Sequence, residues 1–142
     1  MPSQELFSAP PTSIDDALWE ADRVRRLILQ EAQNPNFPAP PEGKWSLDEL
    51  LYHLHLVERG SASAVRKMIE SEKGERFSNE SVTKTWQRMK AFVPNRNTKI
   101  LAPDGVAPKD TPTRAECIRL LGESRERLKL HCSNTTTEDL LR

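Results

Sequence analysis

The chain has 142 residues, which suits one domain with a single core burying roughly two thirds of its unfolded surface. Hydrophobic residues are 36% and charged residues 30%, and 21 Lys plus Arg balance 21 Asp plus Glu, so charge makes no case for nucleic acid or an anionic membrane. No apolar run approaches the ~20 residues of a membrane helix, and "MPSQELFSAPPTS" lacks the basic and apolar regions of a secretory signal, so the expectation is a soluble, cytoplasmic protein.

In chain order, residues 1–12 read as an extended tail. A first helix is predicted over Ser13 to Gln33. Ser13 caps it, with Asp16 three residues on. Ile14, Ala17, Leu18, Ala21, Val24, Leu27 and Ile28 keep helical spacing, and Asn34-Pro35 stops it. Within it, "RVRR" (Arg23 to Arg26) reads as a solvated charged face.

A Pro-rich linker leads to a second helix over 46–73. Ser46 and Glu49 form an S-x-x-E capping box. Leu47, Leu50, Leu51, Leu54, Val57, Ser61, Val65, Met68 and Ile69 make one apolar stripe, and "SEKGE" ends it with Gly74 near the C-cap. A shorter helix is predicted over 80–91, carrying Val82, Trp86 and Met89. A Pro-rich crossover, 94–112, precedes a third long helix over 113–132. Thr113 and Glu116 cap that helix, and Ile118, Leu121 and Leu128 form its core face with Cys117 beside them. Thr135 to Glu138 repeats the T-x-x-E start. No stretch alternates like a strand, so the fold class is all-α, a small antiparallel bundle of one domain.

The two cysteines, Cys117 and Cys132, lie about 22 Å apart along one helix at 1.5 Å per residue. They cannot pair, and they read as buried, idle thiols. Trp19, Trp45 and Trp86 read as core or capping aromatics.

The second helix carries the candidate site. With about 100° per residue, His53 falls about 110° to one side of the stripe and His55 about 90° to the other. The two cannot ligate one metal from the same helix. Glu58 falls about 30° from the middle of the stripe, where a carboxylate needs a partner or a wet cavity. His55 and Glu58 are three residues apart and are placed to share a hydrogen bond. Glu58, His55 and Glu49 are the candidate pocket residues. The plain alternative is that they are boundary residues of a helix end leaving the core.

"WSLDELLYHL", Trp45 to Leu54, resembles the W-S-x-x-E-x-x-x-H-L signature of the DinB-like superfamily, which includes the YfiT-type proteins. The helix order, the Pro-rich linkers and "APDGVAP" occur in the family's sequence as well. The resemblance implies a four-helix bundle, often a homodimer. It implies a divalent metal, nickel or zinc, held by three histidines, of which His53 matches the first. The implied activities are metal-dependent hydrolysis and transfer of low-molecular-weight thiols. Three imidazoles leave a metal position open for water or thiolate.

The family's H-x-x-x-H pair occurs nowhere in these 142 residues. His131 has no histidine four residues on. Three readings follow: a truncated or degenerate DinB-like protein with an incomplete metal site; a metalloenzyme subunit completed by another chain; or a non-enzymatic helical interaction and dimerisation module. The uncovered stripe of the second helix predicts a homodimer with Leu54, Val57 and Val65 near its middle, and with Glu58 paired across the axis. A small thiol or other small molecule is the other partner expected.

Overall fold

The computed structural model describes residues 13–70 and 102–133, together with positions 83–85, 87–88 and 91. All regular structure among these residues is helical. The long helices are α1 (Ile14–Ala32), α2 (Leu47–Glu70) and α3 (Arg114–Ser133), and the positions described between 83 and 91 are helical as well. The expected tail, the end of the second helix at "SEKGE", Val82, Trp86 and Met89, the first part of the crossover and the Thr135–Glu138 turn lie outside the described residues.

Each long helix begins where a short polar side chain takes over an orphan amide. Ser13 Oγ accepts from the Asp16 amide at 3.1 Å. Ser46 and Glu49 close a reciprocal box, with Glu49 N–H to Ser46 Oγ at 3.1 Å and Ser46 N–H to Glu49 Oε1 at 3.0 Å. Thr113 Oγ1 accepts from the Glu116 amide at 3.3 Å. Each cap contributes about 1 kcal/mol. Glu49, expected near a pocket, is thus occupied in starting α2. Gly43, at φ 76°, supplies the left-handed turn that leads into Lys44 and Trp45.

Packing is uneven. α2 and α3 lie against each other, α1 touches α3 more lightly, and α1 and α2 pack little against one another. The core is Ala32, Leu47, Leu51, Cys117 and Leu121, with Ile28, Tyr52, Leu54 and Ile118 against it. Contacts fix the directions. Asp48 meets Arg114 and Cys117, and Glu58 meets Ser124 and Arg125, so α2 and α3 run parallel. Ala32 meets Arg114 while Asp22 meets Arg125, so α1 runs antiparallel to α3. α3 begins beside the start of α2, so these two long helices share a direction inside this all-α bundle.

The stripe of α2 is split between two surroundings. Leu47 and Leu51 are buried, as are His55 and Ala62 beside the stripe, whereas Leu50, Val57 and Ile69 are about 40% exposed (40%, 40% and 39%). Leu56, opposite the stripe, is buried as well. Trp19 is 61% exposed and takes no part in the core.

The same end of the bundle is tied by Arg114. Its Nε donates to Asp48 at 2.7 Å and its Nη1 to the Ala32 carbonyl at 3.4 Å, closing the last turn of α1. Half exposed, the ion pair contributes at most about 1 kcal/mol. Burial of Leu51, fully enclosed, counts for more. Leu51→Ala is expected to cost about 3 kcal/mol in urea unfolding, while Leu50→Ala one position away costs under about 1 kcal/mol. Equal costs would show that the packed face of α2 is not the one described.

Candidate functional site

Between α1, α2 and α3 lies an open cleft of about 440 Å³. α1 contributes Ala21, Val24, Ile28 and Leu29 to its wall; α2 contributes Leu54 and Val57; α3 contributes Leu121 and Leu128. The charged side chains Arg25, Glu58 and Arg125 also line it. A predominantly apolar cleft with a few convergent polar groups is the usual form of a small-molecule site, and the volume is within the common range.

The charges form one network across all three helices. Arg125 on α3 donates its Nε to Glu58 on α2 and its Nη1 to Asp22 on α1. Lys129 Nζ lies 3.1 Å from the other Asp22 oxygen. Ser124 Oγ, buried, lies 3.4 Å from Glu58 Oε2 and 3.2 Å from the Leu121 carbonyl. Glu58 and Arg125 are each only 11% exposed at the side chain. Burial opposes ionisation of Asp22, but the hydrogen bond from Lys129 and the charges of Arg125 and Lys129 together hold its carboxyl below the usual value. Glu58 needed a partner, as its place on the stripe requires; that partner is Arg125 of its own chain. Within the chain, His55 is not its partner.

Arg25 sits at the edge of the network. Its Nη1 is buried and has no hydrogen-bond acceptor, since Glu58 Oε2 at 3.7 Å is too far. Burial depresses its pKa most, and the Glu58 charge works against that. The reading of "RVRR" as a solvated face holds for Arg26, which is exposed, and for Arg23, which pairs with Glu20 at 2.9 Å within its own helix. It fails for Arg25. The signal was present: Arg25 is four residues from Ala21 and three from Ile28, on the apolar face of α1.

The two histidines part company. His55 is 6% exposed and stacks on Tyr52, with ring centroids 6.0 Å apart. Its Nδ1 is buried without a partner. Burial lowers its pKa, against a hydrogen bond that the ring donates to the Leu120 backbone carbonyl, so the ring is a neutral core group. His53 faces the other way. Its Nδ1 donates to the Val106 carbonyl at 2.7 Å, and its ring lies 4.8 Å from Trp45. It anchors the crossover to α2. The turn there is closed by the Val106 and Ala107 amides, both 3.0 Å from the Pro103 carbonyl.

Among the described residues, no group of three or more His, Cys, Asp or Glu is placed to hold a metal ion. His53 supplies one imidazole, and Glu49, Glu58 and His55 do not join it. Cys117 and Cys132 are free and buried, and burial raises both thiol pKa values, most simply keeping them protonated.

Comparison with protein-family models, with curated proteins and with solved structures finds no match to this chain. None of the three identifies a DinB-like family.

The buried neutral ring of His55 makes stability depend on pH. Its folded pKa lies below the ordinary 6.5, so the unfolded chain binds the extra proton. Stability is complete above pH 6.5 and declines as pH falls from there through the lower, folded value. Urea midpoints measured from pH 7.5 to 5 should fall for the wild type and fall less for His55→Phe. Parallel curves would place the titrating group elsewhere.

Proposed function

We propose that this chain is a helical interaction module of DinB-like type, and that a second copy covers the open side between α1 and α2. The observation that carries the reading is the cleft itself. Two helices of the bundle pack on α3 but hardly on each other, and apolar side chains line the gap. Val57, 40% exposed, stands at its rim on α2. A single closed core would leave no such gap.

The argument for a second copy is physical. An apolar rim running into an apolar cleft is the kind of contiguous surface that monomers seldom keep in water. A two-fold arrangement sets the same patch on its own copy, so each rim can cover the other. The chain's 21 positive and 21 negative side chains give no net repulsion to overcome. In this reading the Glu58–Arg125 network is a support for the cleft rather than a reacting centre.

A second reading keeps the family's metal chemistry. It draws on His53, whose Nδ1–H bond to a backbone carbonyl is the arrangement that orients a ligating imidazole through its other nitrogen. One imidazole does not make an open catalytic zinc or nickel site, which uses three protein ligands. We derive no hydrolytic or thiol-transfer step from it.

Sedimentation equilibrium at micromolar concentration checks the first reading. The wild type should have twice the 16.2 kDa chain mass, and Val57→Asp should return it to one chain. A monomeric wild type, or a dimer indifferent to Val57→Asp, would overturn self-association through this rim.

A further inference from the structure

The charged network at the cleft sets three cations, Arg25, Arg125 and Lys129, against two carboxylates, Asp22 and Glu58. Asp22 and Glu58 are two negative charges, and both are engaged by Arg125 on α3, with Lys129 sharing Asp22. Arg25 is left over. Its nearest carboxylate oxygen among the network is Glu58 Oε2 at 3.7 Å, and its Nη1 is buried without an acceptor. Glu126 also acts on Arg25 through its charge, but it is exposed on α3, where water weakens the effect. A buried guanidinium donor without an acceptor is costly, and a carboxylate is the partner its planar fork fits.

The rest of the cleft is suited to hydrocarbon. Val24, Ile28, Leu54 and Leu128 line it beside Arg25, and its volume of about 440 Å³ admits a small organic molecule. An apolar trough with a single surplus cation on its wall selects a molecule that is apolar along most of its length and singly anionic at one end.

We propose that the cleft is a binding site for an amphipathic monocarboxylate, its medium-length acyl chain lying along Val24, Ile28, Leu54 and Leu128 and its carboxylate seated on Arg25. The walls all come from one chain, so the site does not depend on self-association. A ligand seated there does cover Leu54 and abut Val57, so it competes with a second copy for the same surface. The cleft then links the oligomeric state to the supply of such a carboxylate.

Calorimetric titration of the full chain tests this, with decanoate, octanoate and decylammonium kept below micelle-forming concentrations. Decanoate should bind one per chain. Octanoate, two methylenes shorter, should bind roughly fifteenfold more weakly, at about fourfold per methylene. Decylammonium, with the same tail and the opposite charge, should bind at least about tenfold more weakly than decanoate, as should decanoate to Arg25→Met. Equal binding of decanoate and decylammonium would overturn the proposal, as would decanoate binding untouched by Arg25→Met. Should that variant fail to fold, the head-group comparison on the wild type decides alone. Sedimentation in the same samples separates the two ideas. Decanoate binding to a chain that never dimerises keeps the carboxylate site and removes the self-association reading. A dimer that binds no decanoate does the reverse.

Discussion

Arg125 is the interaction on which the arrangement of the three helices depends. From α3 it reaches Glu58 on α2 and Asp22 on α1 with two different nitrogens. α2 has a second hold on α3, through the apolar contacts of Leu47 and Leu51 with Cys117 and Leu121. α1 has much less. Beyond Arg125 it has Lys129 at Asp22, the long Arg25–Glu58 ion pair to α2, Arg114 at the Ala32 carbonyl, and Ala32 and Ile28 in the core. A buried ion pair need not outweigh its own desolvation, yet losing one member leaves a charge stranded, at a cost of about 3–5 kcal/mol. Its chief effect here is geometric. It fixes how far α1 stands from α2, and so sets the width of the cleft.

The two sides of α2 consequently have different tasks. One side carries Leu51 and His55 into the α3 contact, where a neutral imidazole is tolerated. The side bearing His53 receives the crossover, through Val106 and the ring of Trp45. Between them, Leu54, Val57 and Glu58 face the cleft. The segment "KWSLDELLYHLHLVERG" thus holds a helix start, a loop anchor, a core histidine and a cleft wall within about four turns.

What was legible in the sequence was local. Ser13, Ser46 and Thr113 announce helix starts because a cap acts over three residues, and all three caps form. The need of Glu58 for a partner was legible too, since a carboxylate on an apolar stripe cannot stay alone. Its partner was not, because Arg125 is brought to it by the packing of α3, far along the chain. The direction of α3 was not legible either, because no local pattern encodes which end of α2 it starts beside. The stripe of α2 looked continuous because periodicity reports a face and not what covers it, so Leu50 and Val57 were grouped with Leu51. Arg25 was hidden inside a charge run whose neighbours are solvated. His53 and His55 were separated correctly by helical angle, but only the structure gives one to a carbonyl and the other to the core.

Amide hydrogen exchange on wild type and Arg125→Met is the most direct measure of the central claim, that this one side chain docks α1 and sets the cleft. The account predicts that amides of α1 lose protection in the variant while those of α2 and α3 around Leu51 and Leu121 keep most of theirs. Protection of α1 equal to that in the wild type would contradict it, and so would a loss shared evenly by all three helices.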